Sequence, residues 1–251
     1  MSERAVAERA PFDATSVGEM LRAKPEAGIA EIRRAARSGD VAAQALLGQI
    51  FLEGRGVAID EAEGFHWHAV AASAGHVESM NMVGRCHELG RGTAIDEALA
   101  AVWYRKAAEA GLDWGIYNYA NLLATGRGVA CDRPHAFALY QRAAAMGHAK
   151  SMNFVGRHYD EGWDVERDPV AAVEWYLRSA EGGDFRGQAS YASVLAREGR
   201  IDEAERWLVR AIDAGSPVFL EKLAGSLADS PHERFRALVP RIEARLTSAR
   251  A

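Results

Sequence analysis

Asparagine, arginine and aromatic residues recur at helical spacing in the middle of the chain. Asn81 and Arg85, Tyr117 and Asn121, and Asn153 and Arg157 are each four residues apart, with Gln49 and Trp114 at related positions. Residues four apart share one face of a helix, so each pair can act on one ligand together. An asparagine amide offers a donor and an acceptor to a peptide backbone, and an arginine fork binds a carboxylate bidentately. Trp114 adds an aromatic surface for an apolar side chain. The chemistry is therefore recognition of a peptide or protein segment, and the arginines suit an acidic or carboxylate-bearing one. Against this stands a plainer reading. Glu88 follows Arg85 by three residues, and Asp160 and Glu161 follow Arg157, so ion pairs within one helix, each about 0.2–0.5 kcal/mol, would leave an ordinary solvated face.

These pairs sit on a repeating frame. Gly39, Gly75, Gly111, Gly147 and Gly183 are 36 residues apart, and Gly215 closes a shorter unit. Repetition at this period means a solenoid. In the unit 40–75, apolar residues fall at helical spacing in two blocks separated by a glycine-rich turn, so each unit is a helix pair. Ala43, Leu47 and Phe51 lie on one face of the first helix, with Ser79, Val83, His87 and Ser151, Val155, Tyr159 in the same register. Gly48, Gly84 and Gly156 recur at mid-helix despite a cost of about 1 kcal/mol against alanine, which implies close backbone approach. In the second helix Trp67, Trp103, Leu139, Trp175 and Trp207 form a row that reads as core packing.

The same frame absorbs most of the other chemistry. Gly54-Arg55-Gly56 and its copies at Gly90 and Gly126 invite a nucleotide-binding reading, but that motif needs a preceding strand. Here the glycines supply positive φ at the end of a helix, and Asp60, Asp96, Asp132 and Asp168 suit the N-cap of the next. The eight histidines do not converge. His66 and His68 are two apart and face different ways, His68 replaces Tyr104, Tyr140 and Tyr176 in an aromatic row, and His76 and His148 follow helix-ending glycines. Cys86 and His158 share a repeat position two units apart. No nucleophile stands at fixed spacing from a base, so a non-enzyme without metal or cofactor is expected.

The string L-G-x-x-F…G-R-G-V-x-x-D…W…A-A-x-x-G, from Leu47 to Gly75, resembles the Sel-one-like repeat family, a branch of the tetratricopeptide superfamily. The resemblance covers about Asp40 to Gly183. It implies an all-α, right-handed superhelical α-solenoid of antiparallel helix pairs, about five repeats with helical caps, whose first helices line a concave wall. It also implies protein binding in that groove, where the residues opening this section would lie.

The expected organisation is a mobile tail at 1–14, a helical cap at 15–39 and four repeats at 40–75, 76–111, 112–147 and 148–183. A shortened fifth unit at 184–215 and a C-terminal cap at 216–251 follow, the last helix being interrupted near Pro240. Thr15, Ser16 and Glu19 give the first cap a start signal, and Pro25 suits a first helical turn. A net charge of −5 offers no general attraction for nucleic acid. The N-terminal stretch lacks the apolar core of a secretory signal, no segment reaches membrane-spanning length, and Cys86 and Cys131 read as free thiols. The expectation is a cytoplasmic adaptor binding a peptide or protein in the groove. The alternative is an accessory or regulatory subunit of one enzyme, acting through its convex face or terminal helices.

Overall fold

A computed structural model describes residues 23–248, which are helix and connecting turn with no strand among them. The expected tail and the start signal at Thr15, Ser16 and Glu19 lie outside those residues. The chain divides into two compact units, 1–131 and 132–251.

In the first unit, α1 (Pro25–Arg37), α2 (Val41–Glu53), α3 (Glu61–Ser73), α4 (Val77–Leu89), α5 (Glu97–Glu109) and α6 (Asp113–Thr125) pack each against the next. Pro25 opens α1, where a missing N–H costs nothing. The glycine turns end the first helix of each pair: Gly54 and Gly90 adopt left-handed φ of 71° and 72°. The N-cap carboxylates then start the second helix, Asp60 accepting from the Glu63 N–H at 2.9 Å and Asp96 from that of Leu99 at 2.9 Å.

Small residues at mid-helix allow the crossings. A Cβ on Gly84 would stand 2.7 Å from the Tyr104 ring, and one on Gly48 would stand 2.7 Å from His68. The row that fills the core is the one after the tryptophans. His68 and Tyr104 are 3% and 0% exposed, whereas Trp67 is buried and Trp103 only half-buried, with the Lys106 ammonium 4.4 Å above its ring. Trp67 thus belongs to the core, whereas Trp103 sits at its margin, covered from outside by the stem of a basic residue one turn on.

The second unit holds α7 (Arg133–Ala145), α8 (Ala149–Glu161), α9 (Pro169–Glu181), α10 (Phe185–Arg197), α11 (Ile201–Ala214), α12 (Pro217–Ala228), α13 (Glu233–Arg236) and α14 (Val239–Ser248). Asp132, Asp168 and Asp184 cap α7, α9 and α10. The same division recurs: Tyr140 and Tyr176 are buried, Trp175 and Trp207 half-buried under Arg178 and Arg210. One continuous cluster runs from Tyr176 through Leu195, Leu208 and Ile212 to Leu220, Phe235 and Ile242, so the last helices share their core with the repeats. The last helical stretch is interrupted near Pro240: α13 ends at Arg236 and α14 starts at Val239, with the proline in its first turn, where it removes no hydrogen bond.

Candidate binding surfaces of the first helices

Arg85 on α4 and Arg157 on α8 are exposed and equivalent by the repeat. Two of the three acidic neighbours that could neutralise them, Glu88 and Asp160, are occupied elsewhere, and Glu161 makes no ion pair with Arg157. Glu88 accepts the Tyr104 hydroxyl at 2.6 Å and the Arg127 guanidinium at 2.8 Å. Asp160, its counterpart, accepts the Tyr176 hydroxyl at 3.3 Å and lies 3.7 Å from Arg197. Burial first, and these carboxylates second, push both phenols above their ordinary value, so they remain donors. Among the described residues Arg85 has no carboxylate within ion-pair distance. Arg157 sits 4.9 Å over the face of Trp163.

The asparagines are placed differently from expectation. Asn81 is 7% exposed and its side-chain oxygen accepts from Asn118 at 2.8 Å; Asn153 is 3% exposed and accepts from the Ser190 hydroxyl at 3.0 Å. Each bond spans 37 residues, joining first helices of successive repeats. Their amides hold the frame together, because a buried polar group needs a partner and the next repeat provides one. Gln49 is half-buried and donates to Glu53 on its own helix. On α6, Trp114 is 43% exposed and meets Tyr117 edge to face at 6.2 Å, while Tyr117 and Asn121 are half-buried one turn apart.

Sequence reasoning missed the role of the arginines inside the glycine turns. Arg91 donates to Glu61 at 2.7 Å and to the Leu52 carbonyl at 2.8 Å, and Arg127 donates to Glu97 at 2.7 Å. The partner glutamate lies 30 residues earlier in both cases, at the first position of the preceding second helix. The glycine after the arginine permits this approach: a Cβ on Gly92 would stand 1.9 Å from the Glu61 carbonyl oxygen, and one on Gly128 would stand 2.1 Å from that of Glu97. The recurring glutamate 30 residues back was the available signal.

The fourth turn reverses these charges. It reads Gly162-Trp163-Asp164, and Asp164 takes a left-handed φ of 57° where the earlier turns have glycine. Its carboxylate lies 3.5 Å from Arg133, which occupies the helix-start position of Glu61 and Glu97. His158 donates from Nδ1 to the Trp163 carbonyl at 2.9 Å, 3.6 Å from Asp164, and stacks on Phe137 at 4.5 Å. Burial holds its pKa below the ordinary value.

The other titratable groups serve structure. His76 caps α4, its Nδ1 accepting from the Ser79 N–H at 3.2 Å, and His148 caps α8 through Ser151 at 3.3 Å. Cys86 is buried and Cys131 exposed, both free. No cluster of three or more metal-ligating side chains occurs among the described residues, and no helix among them is long and apolar enough to cross a membrane.

Consecutive helix pairs with a conserved turn, a conserved cap and varied residues on the first helix define a helical repeat protein of the tetratricopeptide-like class. The Sel1 repeat profile matches residues 41–76, 77–112, 115–148 and 149–184, and the chain belongs to the Sel1 repeat family. Such proteins are commonly protein-interaction scaffolds and are not typically catalytic. The chain is similar to a Sel1 repeat protein from Oxalobacter formigenes at 26% identity and a TM-score of 0.79, covering 94% of this chain and 100% of that one. It is similar to a protective antigen of uropathogenic Escherichia coli that displays the same fold, at 26% identity and a TM-score of 0.66 over 88% of this chain and 49% of that one, so it spans about half that antigen's length. An immunity protein from Pseudomonas aeruginosa, 13% identical with a TM-score of 0.58 over 84% and 80%, shares the fold. Comparison with curated proteins returned no match.

Proposed function

We propose that the chain is a cytoplasmic scaffold that binds an acidic or carboxylate-bearing protein segment through the exposed face of its first helices. Arg85, Trp114, Tyr117 and Asn121 form the contact surface in the first unit, and Arg157 with Trp163 forms it in the second. On this reading Asn81 and Asn153 position the helices beneath, and Gln49 lies at the margin. One observation carries the reading: among the described residues neither Arg85 nor Arg157 has a carboxylate within ion-pair distance, Glu88 and Asp160 being turned to tyrosines and other arginines, so two equivalent guanidinium groups are left for an outside partner. In a tetratricopeptide-like superhelix that face is the concave wall.

The test is quantitative capture from lysate of the source organism by the wild type and by the Arg85→Ala, Arg157→Ala double variant. Charge-assisted hydrogen bonds are worth about 1.5–3 kcal/mol each, so at least a tenfold loss of affinity is expected for the principal partner. An unchanged partner list with unchanged affinities would remove the assignment. Arg91 and Arg127 are unsuitable as neutral controls because both hold the frame.

The accessory-subunit alternative rests on Ile95, Leu99 and Val102, which are 66%, 43% and 39% exposed around the start of α5. Retained binding in the double variant together with loss on Leu99→Asp would favour it.

A further inference from the structure

The fifth repeat carries an arginine pair that the frame does not require. On α11, Arg206 and Arg210 are exposed and four residues apart, so two guanidinium groups share one helix face. With Trp175 and Trp207 as the common reference, the equivalent positions on α9 hold Glu174 and Arg178. Glutamate four residues before arginine supports a helix, whereas two like charges at that spacing repel each other and weaken it. The exchange of Glu174 for Arg206 is thus a local loss.

The carboxylates that could offset the pair are engaged elsewhere. α11 holds four of them, Asp202, Glu203, Glu205 and Asp213. Asp202 and Glu205 both pair with Arg234 of α13, Glu203 accepts from Arg200 at 2.8 and 2.7 Å, and Asp213 accepts from Arg241 of α14 at 2.7 and 2.9 Å. Among the described residues neither Arg206 nor Arg210 has a carboxylate within ion-pair distance. Both line an open groove of about 510 Å³, to which α13 contributes Arg234. Arg210 is held 4.6 Å over the Trp207 ring, so part of its rotamer freedom is already gone before a ligand arrives.

Two arginine forks offer more charge and more donors than one carboxylate can use. A phosphate monoester carries nearly two negative charges and three strong acceptor oxygens, enough for a bidentate contact with one fork and a further bond from the other. A carboxylate or a phosphate diester carries one charge. We propose that Arg206 and Arg210 bind a phosphate monoester in this groove, presented by a phosphorylated side chain of a protein or by a free phosphate ester. The site lies on a second helix and does not rest on the first-helix face of Arg85 and Arg157.

The full-length protein, isotopically labelled, is titrated by NMR at about pH 7.5, above the second phosphate ionisation near pH 6. The probes are a capped Gly-Gly-phosphoserine-Gly-Gly peptide, its unphosphorylated form, glycerol phosphate, dimethyl phosphate and acetate. The phosphopeptide should shift the backbone amides of α11 with a dissociation constant on the order of 1 mM, and dimethyl phosphate and acetate should each bind at least roughly tenfold more weakly. Arg206→Gln and Arg210→Gln should each weaken the phosphopeptide about tenfold, with the helical spectrum unchanged. Arg178→Gln should change nothing, because Arg178 lies over Trp175 in the same way, at 5.0 Å, but has no second arginine beside it. Arg85→Gln should also change nothing, which separates this site from the proposed first-helix face. Glycerol phosphate binding as tightly as the phosphopeptide would support the proposal with a free ester as the source, and tenfold tighter binding of the phosphopeptide would support it with a protein segment. Absence of shifts, shifts confined to other helices, equal affinity for dimethyl phosphate, acetate or the unphosphorylated peptide, or full binding by the Arg206→Gln, Arg210→Gln double variant would overturn it.

Discussion

Gly128 and Gly111 both adopt positive φ, 66° and 90°, yet replacing them with alanine should have very different consequences. At Gly111 a Cβ would meet nothing within 4 Å, so Gly111→Ala bears only the backbone strain, about 1–2 kcal/mol. At Gly128 the same Cβ would stand 2.1 Å from the Glu97 carbonyl oxygen and 2.2 Å from its carbon, more than 1 Å inside ordinary contact. Those atoms are backbone at the start of α5 and cannot rotate aside, so the turn must retreat. Retreat carries Arg127 with it, and its bonds to Glu97 at 2.7 Å and Glu88 at 2.8 Å are lost. Overpacking of this kind costs about 1–3 kcal/mol. The ion pairs, with the arginine 41% exposed, add about 0.2–1 kcal/mol after solvent screening. With the same backbone strain added, Gly128→Ala should therefore destabilise by about 2–6 kcal/mol against about 1–2 for Gly111→Ala. Urea unfolding followed by far-ultraviolet circular dichroism measures both. Equal losses would show that the turn does not bear on the preceding repeat, and the account of the glycine-arginine-glycine motif would fail.

Three further outcomes are expected. Burial, and secondarily His76, holds the His68 pKa down to about 4. The unfolded imidazole takes its proton near pH 6.5, so stability is lost as pH falls from about 6.5 to 4, by on the order of 3 kcal/mol; His68→Tyr should flatten that part of a stability profile. Cys86 is buried with its thiol pushed up to about 11, whereas Cys131 is exposed, so a thiol-specific chromogenic reagent should modify one cysteine in the native protein and the second only on unfolding. Tyr104→Phe should cost about 1–2 kcal/mol in urea unfolding, and on the proposed reading it should also weaken partner binding, because a released Glu88 can turn to Arg85 one helical turn away.

How far the sequence could be read depended on the range of the interaction that fixes each residue. Asp60, Asp96, Asp132 and Asp168 were legible as caps because a cap is a local contract between a side chain and a backbone three residues on. The turn glycines were legible for the same reason. The choice between Trp103 and Tyr104 as the buried aromatic was not. Adjacent helical residues differ by about 100° around the axis, and only the neighbouring helix determines which direction is inside. Hydrophobicity favours the tryptophan, but a tyrosine with Glu88 beneath its hydroxyl satisfies its polar end while burying its ring. Asn81 and Asn153 were misplaced by the same blindness. Their partners, Asn118 and Ser190, lie one repeat and one residue further on, and that offset shows only when positions are compared between repeats as well as within one.

The exception in the fourth turn bears on how Arg157 would act. At the second and third turns an arginine leaves the turn to hold the helix that starts 30 residues earlier. In the second unit the basic partner moves to Arg133 and the turn supplies the acid, Asp164. That exchange frees the middle turn position for Trp163, and Trp163 is the ring beneath Arg157. His158, bound to the Trp163 carbonyl and stacked on Phe137, fixes the turn from below. An arginine held over an indole has already lost part of the roughly 2 kcal/mol of rotamer entropy that a free one surrenders on binding. Arg85 has no such platform. The charge reversal therefore preserves the frame's inter-repeat contact while converting one of two equivalent arginines into a preorganised one, which on the proposed reading makes Arg157 the tighter of the two contacts.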